Sequence, residues 1–259
     1  MLKRIFIITY LIFSMFNSSH AQYNIRDLYH EIGIYAGPVF LKSDFGARDD
    51  FENFYKNNGY IIGAVYFISA DEDYFSLRDN FKLRLEASYM ESTLNHYGKY
   101  VDGAIGDSEK QKLRAMSGKS SSTSAGFQVE FYPLKTDDYN RGGRISPYVS
   151  AGCMASLYTT AVTTSYGSGK IGNPSTTPTK YLDGYRNDVN QFTASLSGSI
   201  GTRYKLSEYH SLMAEVKLQY YFSDWVDGLN PNSRIYTENK TNDYLGSFNI
   251  GYIYYLDQN

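Results

Sequence analysis

The sequence is short of the residues from which most functional sites are built. Its one cysteine, Cys153, cannot form an internal disulfide, and its four histidines lack the spacing of a metal-binding helix. Lysine and arginine number 25 against 27 acidic residues, with no basic tract that would suggest nucleic acid. No segment beyond the N-terminus approaches the about 20 apolar residues of a transmembrane helix. These absences exclude a helical membrane protein and a disulfide scaffold, and we predict no metal site, no cofactor and no nucleic-acid partner.

The first 21 residues have the layout of a cleaved secretory signal peptide. Lys3 and Arg4 precede an apolar run over Ile5–Phe16, and the small residue Ala21 stands just before the expected cut. The run is too short to span a membrane as a helix. We therefore expect residues 1–21 to be removed and residues 22–259 to form one exported domain.

Alternation with a period of two is the main signal in the rest of the chain. From Tyr244 to Leu256, every second residue is apolar or glycine, which predicts a strand with one apolar and one polar face. The chain also contains 27 tyrosines, and aromatic enrichment suits strands and membrane-interface girdles. Eight segments follow this logic. They are His30–Phe40, Gly59–Ile68, Phe81–Glu91, Ser122–Pro133, Ile145–Leu157, Gln191–Leu206, Ser211–Ser223 and Tyr244–Leu256.

The connections between these segments alternate between long and short. The long ones are rich in Gly, Ser, Thr and Asn and are expected to be mobile, for example at Ser117–Ser124 and Thr163–Thr179. An even strand number, short periplasmic turns and long outer loops are typical of outer-membrane barrels. We predict an all-β, eight-stranded, antiparallel up-and-down transmembrane β-barrel with long extracellular loops, in the bacterial outer membrane. The alternative is a soluble, lipocalin-like barrel with its apolar face inside, but a ring of Phe and Tyr would overfill so narrow an interior.

The face opposite the lipid carries charges of both signs, which must find partners inside a narrow barrel. Arg84 and Glu130 lie at similar depth on adjacent strands, and Arg203 and Glu215 stand in a comparable relation. We predict a buried ion-pair ladder that fills the lumen; the alternative is a water-filled lumen with independently solvated charges. The predicted members are Lys82, Arg84, Glu86, Glu130, Arg203, Glu215 and Lys217, and Lys205 shares their face.

Evidence for catalysis is weak. His96 is the only histidine among the long loops, and a hydrolytic triad would need it; we interpret it as a solvated loop residue. The acidic run from Asp44 to Glu52 lacks the pattern of a calcium-binding loop and is interpreted as a solvated tip. Trp225, the single tryptophan, is expected to be an interfacial anchor. We predict no catalytic residue and no small-molecule substrate.

Several short stretches resemble the PorG family of outer-membrane barrels, which is found in bacteria with the type IX secretion system. The family usually carries paired acids after strand seven, whereas Gly228 follows Asp227 here, and the two longest loops match nothing in the family. The matching residues are Glu31-Ile32-Gly33 with Gly37 and Asp44; Pro147-Tyr148-Val149 with Gly152; Gly201 with Tyr204 and Leu206; Phe222-Ser223-Asp224-Trp225-Val226-Asp227; and Asn242-Asp243-Tyr244.

The resemblance implies a non-enzymatic structural or adaptor protein that anchors or accompanies the type IX secretion and gliding machinery, with outer-membrane lipid around it. Its periplasmic side would meet secretion-ring proteins. Acidic residues on two of the short turns are candidate contacts, or else simply solvated; they are Asp71, Glu72, Asp73, Asp137 and Asp138. The alternatives are a small barrel that binds an extracellular ligand or surface partner through its long loops, and a narrow pore.

Overall fold

The computed structural model describes residues 28–46, 55–70, 80–98, 101–102, 107–134, 145–237 and 241–256. The expected signal peptide and the five acidic residues of the periplasmic turns lie outside these ranges. No helix in the described ranges is long and apolar enough to cross a membrane.

Eight antiparallel strands form one closed barrel in which each strand pairs with its neighbours in sequence and the last pairs with the first. This confirms the predicted fold. The strands are β1 (Leu28–Lys42), β2 (Asn58–Ala70), β3 (Phe81–Asn95), β4 (Met116–Phe131), β5 (Ile145–Thr164), β6 (Gln191–Ser207), β7 (His210–Tyr221) and β8 (Tyr244–Tyr255). One short helix, α1 (Ser108–Ala115), precedes β4 and is capped by the Asp107 side chain, which accepts a hydrogen bond from the backbone N–H of Glu109.

One segment that was expected to be mobile loop, and the first two residues of another, belong to long strands. Ser117–Ser124 lies within β4, and β5 continues to Thr164, so the first part of Thr163–Thr179 is also strand. The β4–β5 ladder runs unbroken up to the pair Met116 and Thr164. Inward residues of this stretch, such as Met116 and Val162, are fully buried in an apolar core, and this burial outweighs the low strand preference of the Ser and Gly residues around them.

Over most of the strand length, starting from the end that carries the short turns, the barrel has an apolar outside and a polar inside. On β3, Phe81, Leu83 and Leu85 point outward and are exposed, while Lys82 and Arg84 between them are buried. The same alternation occurs on the other strands, for example with Leu196, Ile200, Val216 and Ile250 on the outside. Such a continuous apolar exterior around a closed barrel is stable only when hydrocarbon is its solvent.

This pattern inverts toward the end that carries the long loops, which is extracellular in outer-membrane barrels. Outward residues there are polar, as at Glu91, Thr93 and Lys119, whereas inward Met90 and Leu94 are fully buried. The outer part of the barrel therefore follows the rule of a water-soluble protein, with its apolar residues inside. The change from Tyr89 to Glu91 on the outer face of β3 marks the boundary.

Side-chain amides cover the strand edges that rise above the shorter neighbouring strands. Asn57 exchanges two hydrogen bonds of 2.9 and 2.7 Å with the backbone of Asn95 at the end of β3. On the far edge of β5, the backbone N–H of Val162 donates to Asn187 Oδ1 over 2.5 Å. These contacts satisfy groups that would otherwise be free to pair with another chain.

Candidate functional site

The middle of the lumen is built around Arg84, which is fully buried. Its guanidinium lies 2.9 Å from Glu86, 3.3 Å from Glu130 and 2.8 Å from Glu215. Glu86 is on the same face of the same strand, Glu130 is on the adjacent strand, and Glu215 reaches across from β7. One cation therefore joins three walls of the barrel.

A second group of charges lies on the periplasmic side of Arg84. Arg203 contacts Glu31 over 2.5 Å and Glu130 over 2.9 Å, and Lys82 contacts Glu31 over 2.6 Å. On the other side of Arg84, Lys217 pairs with Glu86. The eight side chains form one connected network of four cations and four anions, so that its formal charge is zero.

Neutral donors complete the coordination of the buried carboxylates. Tyr35 donates to Glu86 over 2.6 Å, and Tyr148 donates to Glu215 over 2.8 Å. Glu215 also accepts from Ser199 and Asn249, each over 3.0 Å. Buried charges are tolerated when they are both paired and hydrogen-bonded, and this network meets both conditions.

All seven side chains predicted for the ladder are buried and belong to this network, and Arg84 contacts Glu130 as expected. Arg203 and Glu215 do not meet: Arg203 pairs with Glu31 and Glu130, while Glu215 pairs with Arg84. The expectation of that second pair was wrong, because Arg203 faces Met213 in the register and extends toward β1 and β4. Glu31 was missed, although it alternates with the outward residues Ile32 and Ile34 and so belongs to the polar face.

Above the charges, a layer of small polar side chains fills the lumen. Ser124 and Ser156 share a hydrogen bond of 2.7 Å, and Gln219 donates to Ser195 over 2.9 Å. Higher still, apolar side chains from strands and loops form a core inside the outer mouth. This core includes Leu41, Phe45, Met90, Leu94, Met116, Val162, Tyr181, Val226 and Leu229.

Extracellular loops close over this core through hydrogen bonds between distant segments. The backbone N–H of Asp44 donates to Asp227 Oδ2 over 2.6 Å, and the Tyr181 hydroxyl donates to the Asp44 carbonyl over 2.8 Å. The backbone N–H groups of Val226 and Asp227 donate to Asp243 over 3.0 and 3.3 Å. We call this assembly of Asp44, Tyr181, Val226, Asp227 and Asp243 the outer cap.

His96 is part of the closure and is not a solvated loop residue, contrary to the expectation. It is 6% exposed, its Nδ1 accepts from the backbone N–H of Gly46 over 2.7 Å, and its ring lies 4.9 Å from that of Phe45 and 5.5 Å from that of Tyr181. Burial, assisted by the nearby charge of Lys180, lowers the pKa of His96 to about 3. Its Nε2 has no hydrogen-bond partner among the described residues. This environment suits a neutral packing residue rather than the base of a triad.

The remaining predicted positions have simple placements. Trp225 is partly buried beside the apolar core, and the Arg186 guanidinium lies 4.0 Å from its ring; the role of interfacial anchor stays a prediction. Asp44, which was expected at a solvated tip, is buried in the outer cap. Lys205 is partly exposed near the ring of Tyr255. Within the described ranges, no group of three or more His, Cys, Asp or Glu side chains could hold a metal ion.

Known proteins resemble this chain in fold but not closely in sequence. No family model and no curated protein matches it. Neisserial surface protein A is 12% identical with a TM-score of 0.46, covering 87% of this chain and 96% of that chain. A major outer membrane protein from Thermus thermophilus is 13% identical with a TM-score of 0.46, covering 88% and 99%. The outer membrane protein OprG from Pseudomonas aeruginosa is 12% identical with a TM-score of 0.39, covering 90% and 97%.

The apolar belt decides the environment of the barrel. Large apolar side chains point outward on all eight strands, and the charges they would avoid are sequestered in the lumen. The protein is an eight-stranded β-barrel of the bacterial outer membrane. Its lumen is occupied by charged, small polar and apolar layers in succession, and its outer mouth is closed by loops.

Proposed function

We propose that the protein is a non-enzymatic, non-conducting structural component of the outer membrane, which acts as an adaptor that anchors or accompanies type IX secretion machinery. The observation that supports a non-conducting structural role is the occupied lumen. Eight strands enclose only enough space for side chains. Here that space holds a neutral ionic network, a serine layer and an apolar core.

An occupied lumen favours a role on the outside of the barrel wall or at its two rims. A transport pore needs a continuous aqueous path, and the fully buried core residues Leu94, Val226 and Leu229 lie across that path. An enzyme of the rim type needs an accessible nucleophile and base, and His96 is buried with its Nδ1 engaged by the backbone. Both observations support a structural role.

The resemblance to PorG-like barrels supports the choice of partner. Several of the residues that carry this resemblance make structural contacts in this chain. Glu31 and Tyr148 belong to the lumen network, and Asp227 and Asp243 form hydrogen bonds in the outer cap. The resemblance suggests that the periplasmic rim carries the partner-binding surface. The acidic turns at Asp71–Asp73 and Asp137–Asp138 would then meet a basic surface on a periplasmic ring protein.

Cross-linking in living cells, followed by affinity purification from outer membranes, tests the adaptor role. The barrel with native turns should recover periplasmic ring proteins of the secretion machinery. A variant with Lys at positions Asp71, Asp73, Asp137 and Asp138 should lose them because like charges then face each other. The matched control reverses Asp183 and Asp188, which lie in a described extracellular loop, and should recover the partner as before. Equal recovery from both variants, or recovery of no such protein from the native barrel, would rule the proposal out.

A second candidate is binding of a surface partner through the extracellular loops. It is favoured by the outer cap, which holds several loops in fixed positions through the contacts of Asp44, Asp227 and Asp243. A preorganised surface lowers the entropic cost of binding. Binding of whole cells to purified host or matrix proteins, compared between the native barrel and one with residues 168–175 replaced by a short Gly-Ser linker, would detect this activity.

A further inference from the structure

His96 lies where all four extracellular loops meet. It follows the end of β3, and its ring centroid is 4.9 Å from that of Phe45 in the β1–β2 loop and 5.5 Å from that of Tyr181 in the β5–β6 loop. The ammonium of Lys180 lies 5.6 Å from the Tyr181 ring and 5.2 Å from the ring of Tyr236, which belongs to the β7–β8 loop. A ligand bound at this point would connect the loops that close the outer mouth.

The hydrogen bonding of His96 leaves one buried donor without a described partner. Its Nδ1 accepts from the backbone N–H of Gly46 over 2.7 Å, so the hydrogen of the neutral ring is on Nε2. His96 is 6% exposed, and its Nε2 has no hydrogen-bond partner among the described residues. Most buried polar groups in proteins are hydrogen-bonded, and a donor that lacks a protein partner commonly indicates a bound water molecule or ion.

The charge beside this donor favours an anion over water. Burial, together with the nearby charge of Lys180, lowers the pKa of His96, so the ring is a neutral donor and Lys180 supplies the positive charge. An anion gains from both groups, because a hydrogen bond to an ionised acceptor is stronger than one to a neutral acceptor. The ligand must also be small, because a side chain or sugar of a partner cannot reach an almost wholly buried ring.

We propose that His96 Nε2 and the Lys180 ammonium bind one monatomic inorganic anion, for which chloride is the probe. The anion accepts the hydrogen of Nε2 and is neutralised by Lys180, and it thereby joins the β3–β4 loop to the β5–β6 loop. Tyr181 extends this link into the outer cap, because its hydroxyl donates to the Asp44 carbonyl. Extracellular salt would then stabilise the closed mouth through a specific site. This site goes beyond the proposed structural role and does not depend on any protein partner.

Hydrogen exchange at the Gly46 amide of the full-length protein in detergent tests the proposal, with sodium chloride and sodium gluconate as probes. The salts are compared at neutral pH and equal ionic strength, so that general screening is the same, and gluconate is too bulky for the buried site. If the site is half-filled at about 10 mM chloride, mass action predicts a roughly tenfold higher protection factor in about 100 mM chloride than in gluconate. The NMR signal of the His96 Nε2–H should shift and saturate over the same range of chloride.

A pair of variants separates this site from general effects of salt. Lys180→Gln removes the charge and should reduce the ratio of protection factors in chloride and gluconate to near unity. The matched control is Lys170→Gln, at an exposed position of the same loop, and it should keep the full ratio. Equal protection of the native chain in both salts would assign Nε2 to a water molecule and overturn the proposal, as would a chloride effect that survives Lys180→Gln. Heat-modifiability on gels verifies folding of each variant. If Lys180→Gln does not fold, the native His96 signal decides, and the absence of a saturable chloride shift overturns the proposal.

Discussion

Arg84 and Glu215 stand 131 residues apart in sequence and meet across the lumen through two hydrogen bonds of 2.8 and 3.1 Å. The planar guanidinium binds the carboxylate in a bidentate pair. This pair fixes the distance between β3 and β7. Each partner has other contacts, since Arg84 also meets Glu86 and Glu130, and Glu215 accepts from Tyr148. The pair is therefore the centre of the network that fills the barrel.

Removal of one carboxylate from this network should lower the free energy of unfolding substantially. Glu215→Gln leaves the shape of the side chain but strands part of the buried Arg84 charge, so we expect a loss of about 3–5 kcal/mol in the free energy of unfolding. Urea unfolding of the detergent-solubilised barrel measures it. Glu130→Gln should behave similarly, because Glu130 contacts both Arg84 and Arg203.

Glu91→Gln is the matched control for these changes, since Glu91 pairs with Lys119 on the exposed outer face. Exposed pairs contribute only about 0.2–1 kcal/mol. If Glu215→Gln and Glu91→Gln lowered the stability equally, the lumen would be hydrated and the charges independently solvated.

Two tyrosines in the lumen, Tyr35 and Tyr148, require the glycines opposite them, which are Gly63 and Gly201. Tyr148 pairs directly with Gly201, and a Cβ at Gly201 would lie 2.6 Å from the Tyr148 ring and 2.8 Å from the Ala214 carbonyl. Gly201→Ala should cost about 1–3 kcal/mol through overpacking. On the same strand, a Cβ at Gly198 meets only the Ser150 carbonyl at 3.3 Å, so Gly198→Ala should be milder. Equal unfolding midpoints for the two variants would contradict the packing of Tyr148 over Gly201.

Acid should loosen the outer cap through His96. Burial holds the pKa of His96 at about 3, below the ordinary value of 6.5, so the unfolded chain takes up the proton first. The contribution of His96 is therefore complete above about pH 6.5 and declines as the pH falls toward 3, by up to about 1.4 kcal/mol per pH unit. The Gly46 N–H donates to His96 Nδ1, so the protection factor of this amide in hydrogen exchange, which is its intrinsic exchange rate at each pH divided by the observed rate, should fall over this range.

His96→Asn keeps an acceptor near Gly46 but cannot titrate in this range, so the Gly46 protection factor should lose the acid dependence that the native chain shows. His210→Asn, at the periplasmic end of β7, is the control and should behave as the native protein does. An identical pH profile in the native chain and in His96→Asn would show that other groups, such as the lumen carboxylates, govern the cap.

Thiol labelling locates the boundary between lipid and water. The native Cys153 is outward-facing in the apolar belt of β5, whereas Thr163 faces outward on the same strand above the boundary. A membrane-impermeant maleimide added to intact cells should leave Cys153 unmodified and should label Thr163→Cys in a Cys153→Ala background. Rapid modification of Cys153 in intact membranes would mean that water, rather than hydrocarbon, covers this face.

The strands and their lipid-facing residues were predictable from the sequence. A two-residue alternation assigns each residue to one face of the strand even where the predicted strand ends are wrong. The outer face of β3 can be identified from its own sequence, through the alternate apolar residues Phe81, Leu83 and Leu85, without knowledge of the neighbouring strands. The burial of Met90 and Leu94 was not predicted. They lie in the part of β3 that is surrounded by water instead of lipid, where the apolar residues point inward. The two-residue alternation continues there, but its apolar residues face the inside of the barrel and its polar residues face outward.

The alternation predicted seven of the eight side chains of the lumen network, but only one of the two pairs expected among them, Arg84 with Glu130. Arg84, Glu130 and Glu215 all fall on polar faces, which the alternation reveals. Whether Arg203 reaches Glu215 or Glu31 depends on the stagger of the closed barrel and on cross-lumen distances, and these are set by eight strands together. His96 shows the same limit, because only loop packing against Phe45 and Tyr181 distinguishes a buried ring from a solvated one.

Single-channel recording of the purified full-length protein in planar bilayers tests the central claim most directly. With the lumen filled by the network around Arg84 and closed above by Leu94, Val226 and Leu229, we expect no conductance steps above the bare bilayer at moderate voltage. Stable, ohmic channels in proportion to the amount of inserted barrel would contradict the account of a closed, structural barrel.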